Sequence, residues 1–188
     1  ALVLSLCPRD LSGTVIARGP LVERTVNSVA QRLLSALSHV HECGVLHRNV
    51  TPESVMFDPS GNVVLAGFGH ATFLTEDGAS RRQRVGTPGY VAPEVIMGLQ
   101  YGTAADIFGL GTTLCYALLG QSPFLGSSIP ATLRKTLKGS LSFQKTGGVD
   151  CLSANCKSFL TALLQSNPAQ RPAPAAALDD PWFGTIAL

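Results

Sequence analysis

The sequence predicts a mainly α-helical domain with one small β-hairpin near its middle. Apolar residues recur at helical spacing from about residue 22 to 42, and Gly44 follows as a helix-ending residue. Two short runs rich in valine, at 54–57 and 62–65, flank an Asp-Pro-Ser-Gly sequence that is typical of a hairpin turn. Further helical segments, separated by prolines and a Gly-Gly pair, are predicted at about 103–119, 126–138, 151–165 and 172–180.

The sequence also predicts the structure of the first ten residues and of the segment at 67–93. The opening residues ALVLSL predict a short buried strand, and residues 7–10 predict a turn. From 67 to 93 the chain loses periodicity and collects glycine, threonine, arginine and proline, which predicts a long surface loop. A loop of that length in a compact domain is usually either functional or disordered.

Charge and composition exclude several classes of protein. The chain of 188 residues has 14 basic and 12 acidic residues and a net charge of +2, so neither a nucleic acid nor a membrane surface is expected as a partner. An apolar content of 45% excludes a disordered chain. Charged residues make up only 14%, against about 25% in a typical domain, which leaves room for an apolar surface that meets another protein.

The cysteines indicate the compartment. Five cysteines are scattered along the chain without a Cys-x-x-Cys pair, which argues against a disulfide scaffold or a zinc site. This favours a reducing compartment, the cytoplasm or the nucleus.

The longest charge-free stretch, at 107–133, contains an apolar part shorter than the roughly 20 residues that cross a bilayer. No signal peptide is expected, because the first residues lack a basic region.

Five segments, in order, resemble motifs of eukaryotic protein kinases. Residues 47–55, HRNVTPESV, resemble the catalytic loop H-R-D-L-K-P-E-N-V, and residues 66–69, AGFG, resemble A-D-F-G. Residues 86–94 resemble the P+1 loop and the A-P-E motif. Residues 106–111 resemble the D-x-W-S-x-G motif of the central helix. The last segment resembles N-P-x-x-R-P followed by H-P-W-F.

The resemblance implies the C-terminal lobe of a kinase domain, with the N-terminal lobe absent from this chain. Residues 1–188 would form one kinase-like domain. Its parts would be a hinge region at 1–10, a degenerate catalytic loop at 46–55, an activation-like segment at 67–94 and a helical subdomain at 95–188. Residues 2–47 look most like plant phosphoenolpyruvate carboxylase kinases and calcium-dependent kinases. A calcium site does not follow, since no D-x-D-x-D-G loop is present.

Four positions depart from the family pattern where its chemistry is carried. Asn49 replaces the aspartate that orients the substrate hydroxyl, and Thr51 replaces a lysine. Ser54 and Gly67 replace the asparagine and aspartate that hold magnesium in the family. The resemblance therefore predicts that the chain has no catalytic residue and no metal site, and that it is not an enzyme.

The resemblance also locates a nucleotide surface. Ser5, Leu6 and Cys7 would form the backbone of the hinge, and Met56 would lie beneath an adenine. Because no G-x-G-x-x-G loop and no V-A-I-K lysine occur in these residues, the remaining half of the cleft is expected to bind ATP poorly. No cofactor is therefore expected, although ATP and magnesium are those of the family.

The positions that hold the family's fold are filled. By resemblance, Asp106 ties down the backbone of the catalytic loop, and Glu94 and Arg171 form a buried ion pair. The complete set of motif residues predicted to be structural is His47, Arg48, Phe68, Gly69, Glu94, Asp106, Gly111 and Arg171.

These observations favour a pseudokinase, a catalytically inactive module that binds another protein. Its partner would be an active kinase or a domain fused to it in tandem. One alternative is a Ser/Thr protein kinase whose N-terminal lobe lies outside this chain, and another is a truncated product without function. Arg48 could also meet a phosphate on Thr75 or Ser80. The cluster of Arg81, Arg82 and Arg84 is either a site for an acidic partner or a solvated loop.

Overall fold

The computed structural model describes residues 6–75, 82–141, 143 and 152–184. Within these residues the helices are α1 (Leu11–Arg18), α2 (Glu23–Glu42), α3 (Pro93–Ile96), α4 (Ala104–Leu119), α5 (Ile129–Lys138), α6 (Ala154–Leu163), α7 (Pro174–Ala177) and α8 (Pro181–Gly184). The strands are β1 (Arg9–Asp10), β2 (Val45–Leu46), β3 (Val55–Phe57), β4 (Val63–Leu65) and β5 (Thr72–Phe73).

The strands form two small antiparallel sheets. The predicted hairpin is confirmed as β3 and β4, in which Met56 pairs with Val64, and β1 adds to it through the pair Asp10 and Met56. The second sheet joins β2 to β5 and was not predicted from the sequence. Each of its strands has only two residues, so no periodic pattern could indicate it.

The turn predicted at residues 7–10 is wrong. Asp10 instead caps α1, since its carboxylate accepts a hydrogen bond of 2.6 Å from the backbone N–H of Gly13. The helix was missed because it is short and buries only Leu11 and Val15. Most of the predicted opening strand lies outside the described residues, and Leu6, its last residue, is 77% exposed.

The main helices are confirmed. Helix α2 ends at Glu42, and Gly44 then adopts a left-handed φ of 69°, as expected of a residue that terminates a helix. Helix α4 crosses the core with most of its residues buried, which explains the charge-free stretch in the sequence. The segment predicted as one helix at 172–180 contains only the short α7, followed by α8. Among the described residues, no helix is both long and apolar enough to cross a membrane.

The end of the domain is fastened to α2. Trp182 is fully buried, and its indole N–H donates to Glu23 at 2.8 Å. Asn27 donates to the carbonyl of Trp182 at 3.1 Å. Burial raises the pKa of Glu23, but hydrogen bonds from Ser153 and Trp182 outweigh it and lower the pKa below its ordinary value. The carboxylate therefore stays ionised where it joins α2, α6 and α8.

Gly111 allows α4 and α6 to approach closely. A Cβ atom at this position would lie 2.9 Å from two carbon atoms of Leu164 and 3.0 Å from Cβ of Leu163. We expect Gly111→Ala to lower the free energy of unfolding by about 1–3 kcal/mol, because the packed helices must shift. Urea denaturation measures this. Gly69→Ala is the control, since a Cβ there has no neighbour within 4 Å; equal losses in both variants would contradict the prediction.

Candidate functional site

The loop at 47–54 is fixed to the start of α4 by Asp106. This carboxylate is 1% exposed and accepts hydrogen bonds from the backbone N–H of His47 at 2.9 Å and of Arg48 at 2.8 Å. Hydrogen bonds to an ionised acceptor are about twice as strong as neutral ones. The backbone of the loop is therefore anchored at two consecutive residues.

A third group on Asp106 was missed by the sequence analysis. Nε2 of His41, near the end of α2, lies 2.9 Å from the same carboxylate oxygen that accepts from His47. The imidazole is largely buried, and its Nδ1 has no partner among the described residues. The histidine and Asp106 are 65 residues apart, so only the packing of α2 against α4 reveals the contact.

Arg48 joins the loop to the activation-like segment. Its φ is 66°, a left-handed conformation that costs a residue other than glycine about 1–3 kcal/mol. Its guanidinium donates to the carbonyl of His70 at 2.5 Å and to the side-chain oxygen of Gln83 at 2.9 Å. Tyr101 in turn donates to the carbonyl of Gln83 at 2.9 Å. The segment is thus held on both sides of residues 76–81.

Arg48 is predicted to meet a phosphate on Thr75 or Ser80, and of these two residues only Thr75 lies in the described part of the chain. Thr75 lines, with Arg48 and Gln83, a cavity of about 380 Å³. Ser80 and Arg81 lie outside the described residues. The contact with Gln83 shows that the guanidinium already has an uncharged acceptor from the segment itself.

His47 links the loop to the turn that follows β4. Its Nε2 donates to the carbonyl of Ala66 at 2.8 Å, and its Nδ1 accepts from the N–H of Asn49 at 3.3 Å. These two roles assign the neutral tautomer with its proton on Nε2. The ring also packs edge-on against Phe68, with 4.7 Å between ring centres, and Gly69 continues the short 3-10 turn that Phe68 begins.

Asn49 lies opposite Thr87 of the P+1-like loop. The hydroxyl of Thr87 donates to the side-chain oxygen of Asn49 at 2.8 Å, across 38 residues of sequence. Tyr90 lies in the same small cavity, and burial raises the pKa of its phenol, so it remains protonated. An amide oxygen and a threonine hydroxyl therefore meet at the position where the family orients its substrate.

Thr51 and Ser54 are used within the loop itself. The N–H of Thr51 donates to the hydroxyl of Ser54 at 3.0 Å, and that hydroxyl donates to the carbonyl of Thr51 at 2.9 Å. Together they form a capping box on the 3-10 turn Pro52–Ser54. Both are buried, Thr51 to 2% and Ser54 to 4% exposure.

Gly67 suits the backbone conformation at its position better than a residue with a side chain would. Its φ is 80°, and a Cβ there would lie 3.2 Å from Cβ of Ser54. A side chain at residue 67 would therefore be strained and would press on the capping box. The small size of residue 67 leaves room for the side chain of Ser54.

Ser54 and Gly67 do not by themselves provide a magnesium site. The hydroxyl of Ser54 is engaged, and Gly67 has no side chain. In the described part of the chain, no group of three His, Cys, Asp or Glu side chains could hold a metal ion. Magnesium in proteins often takes one or two carboxylates and completes its shell with substrate phosphates and water.

The predicted nucleotide surface involves the central strand of the first sheet and the residues before β1. Met56 occupies β3 and pairs with Asp10 on one side and Val64 on the other. Leu6 and Cys7 immediately precede β1, and Leu6 is exposed. Ser5 lies outside the described residues. The assignment of these residues to a nucleotide stays a prediction.

Glu94 and Arg171 form a bidentate ion pair inside the domain. The two N–O distances are 2.6 and 2.8 Å, and the residues are 3% and 6% exposed. Arg171 also donates to three backbone carbonyls, and its guanidinium lies over the ring of Phe108 at 5.0 Å. The pair joins α3 to the segment between α6 and α7.

Comparisons with known proteins give the family. The family model described as the protein kinase domain matches residues 1–183. The chain is 31% identical over 93% of its length to calcium/calmodulin-dependent protein kinase type 1 of Caenorhabditis briggsae. It is 34% identical over 93% of its length to CBL-interacting serine/threonine-protein kinase 24 of Arabidopsis thaliana. It is 31% identical over 97% of its length to the carbon catabolite-derepressing protein kinase of Candida tropicalis. The matches cover 49%, 38% and 29% of these relatives.

These relatives overturn two predictions. The predictions that the chain is not an enzyme and takes no cofactor are wrong by this comparison, since the relatives are named as protein kinases. Both predictions equate the loss of charged side chains with the loss of activity. Phosphoryl transfer depends mainly on positioning and on electrostatic stabilisation, to which the loop and the substrate phosphates also contribute.

Two finer predictions are not confirmed. The family model covers nearly the whole chain as a kinase domain, so the absence of the N-terminal lobe is not shown. A special likeness to plant kinases is not shown either, because the relatives include nematode and fungal proteins.

The ordered motifs, the helical fold with small sheets and the matching family model all indicate the same family. This chain belongs to the eukaryotic Ser/Thr protein kinase family.

Proposed function

We propose that this chain is the substrate-binding part of a Ser/Thr protein kinase, which transfers the terminal phosphoryl group of ATP to a hydroxyl of another protein. The observation that carries the proposal is the 2.8 Å hydrogen bond between Thr87 and Asn49. It joins the loop that Asp106 fixes to the loop that would receive the substrate peptide. The relatives named as protein kinases support the same reaction class.

Asn49 would orient the attacking oxygen. Its side-chain oxygen accepts a hydrogen bond from Thr87 and can accept another from a substrate hydroxyl. The hydroxyl oxygen then bonds to the terminal phosphorus while the bond from that phosphorus to the oxygen of ADP breaks. The amide is neutral and takes no proton, so the hydroxyl proton leaves to a phosphate oxygen or to water. A loose transition state allows orientation alone to support the reaction, and a general base at this position would increase the rate further.

Other polypeptide would complete the site. We infer that the glycine-rich loop and the charged groups of the phosphoryl donor site come from outside these residues. The remainder of the same protein, a domain fused in tandem or an active partner kinase would supply them.

The free cysteines of the described residues suit a reducing compartment, so we propose that the protein is located in the cytoplasm.

Replacing Asn49 with aspartate tests the proposal. We expect Asn49→Asp to raise kcat about 100-fold, because it adds the carboxylate that general base catalysis uses. Thr87→Ala should lower kcat, since it removes the hydrogen bond that orients residue 49. The measurement is magnesium-dependent transfer of radiolabelled phosphate from ATP to a protein substrate by the full-length protein.

The matched control is Thr25→Ala, at an exposed position on α2. It should leave the rate unchanged. The proposal is overturned if neither the unmodified protein nor the Asn49→Asp variant transfers phosphate to serine or threonine. A rate that Asn49→Asp leaves unaltered would show that residue 49 does not face the acceptor hydroxyl.

A further inference from the structure

A cavity beside the Asn49–Thr87 pair has one charged residue in its wall. Gly86 and Pro88, which flank Thr87, line this cavity of about 290 Å³. Most of its wall is aliphatic, with Val91 and Leu133 among the contributors. Arg84 supplies the only charged side chain that lines it among the described residues. The cation therefore lies next to the place where an acceptor segment would bind.

Gly98 provides the space in which Arg84 is held. A Cβ added at residue 98 would lie 3.1 Å from Nε and 3.3 Å from Nη2 of the arginine. Gly98 also has a φ of 70°, which a residue with a side chain adopts only under strain. The guanidinium thus rests on the backbone that follows α3, in a position that is partly set in advance.

The charge of Arg84 is not neutralised within the described residues. The side chain is exposed, and no carboxylate in the described ranges pairs with it. Glu94, the acidic residue of the neighbouring α3, is fully engaged by Arg171. Arginine presents a rigid fork of donors that matches a carboxylate in a bidentate manner. An acidic side chain is accordingly the chemistry that complements this wall.

We propose that Arg84 is a specificity-determining residue that selects substrate proteins with an aspartate or glutamate within a few positions of the phosphorylated residue. The proposal rests on the proposed function for the identity of the bound segment as a substrate. The carboxylate pairs with the guanidinium at the mouth of the cavity while a neighbouring aliphatic side chain enters it. Of the three arginines in the cluster at 81–84, Arg84 would thus bind an acidic side chain of the substrate.

Peptide binding to the full-length protein tests this without requiring catalysis. Fluorescence polarisation compares labelled peptides in which alanine replaces the acceptor serine, leucine is adjacent to it, and one glutamate is moved through the flanking positions. We expect one glutamate position to bind about threefold to fivefold more tightly than its glutamine counterpart. The gain should disappear in Arg84→Gln and shrink as salt is raised. Arg84→Glu should instead prefer lysine at that position.

Two further variants make the test specific. Gly98→Ala should weaken the glutamate preference, because its Cβ displaces the guanidinium. Arg32→Gln, at an exposed position on α2, should leave the preference intact. The inference is overturned if no glutamate position is preferred, or if the preference survives in Arg84→Gln. A preference that depends on Arg84 in a protein without phosphotransfer would instead refute the proposed function and show that Arg84 recognises an acidic segment that is not a substrate.

Discussion

Replacing Asp106 with asparagine is expected to destabilise the domain and release the loop at 47–54. The amide offers one acceptor oxygen where the carboxylate serves His41, His47 and Arg48 with two. Its NH₂ group must then face a donor. We expect the free energy of unfolding to fall by about 3 kcal/mol, since hydrogen bonds to a charged group contribute about 1.5–3 kcal/mol each. Urea denaturation measures the loss.

Hydrogen exchange locates the same effect in the structure. The backbone amides of His47 and Arg48 should lose protection in Asp106→Asn, because the single remaining oxygen cannot replace both carboxylate oxygens and the left-handed φ of Arg48 can relax. Phosphotransfer should fall with them. Asp179→Asn, at an exposed carboxylate, is the control. Unchanged protection at both amides would show that Asp106 does not hold the loop.

Breaking the Glu94–Arg171 pair is expected to have an effect of similar or greater size. Glu94→Gln leaves a buried guanidinium without its counter-charge, which costs about 3–5 kcal/mol of stability. Arg171→Met should cost at least as much, because it also leaves three backbone carbonyls without their donor. Both losses are read from the denaturant midpoint at constant slope.

The double variant separates the pair from its surroundings. Glu94→Gln with Arg171→Met should be less destabilised than the sum of the single variants by about 2–3 kcal/mol, since the two residues share one interaction. Glu42→Gln, whose exposed carboxylate accepts a hydrogen bond from Ser38, should change stability by less than about 0.5 kcal/mol. Strict additivity would mean that the ion pair contributes nothing of its own.

The degenerate positions show how far a motif can be interpreted by itself. From the sequence, Thr51 and Ser54 were described only by the lysine and asparagine that they replace. In the structure they cap a turn, and Gly67 is the residue that both the local φ and Ser54 allow. The absence of a family residue at these positions therefore accompanies a different local structure. The prediction of inactivity drawn from that absence conflicts with the relatives, which are named as protein kinases.

The candidate site depends on contacts that have no local signal. Thr87 and Asn49 lie 38 residues apart, Arg48 and Gln83 lie 35 apart, and His41 and Asp106 lie 65 apart. Each residue type is common in loops and helix ends, so its partner cannot be named from spacing. Arg84 and Gly98 are a further example, because neither belongs to a motif and only their proximity gives them meaning.

The family followed from ordered motifs that resemble a known pattern, whereas the long helices and the hairpin followed from helical periodicity and turn residues, which are local properties of the chain. The sequence also named the residues that hold the loop, through resemblance to a known pattern. Helix α1, the second sheet and the partners of each polar side chain are visible only in the folded structure. These features depend on which distant segments pack together, and burial of an uncompensated polar group is costly enough that packing selects the partners.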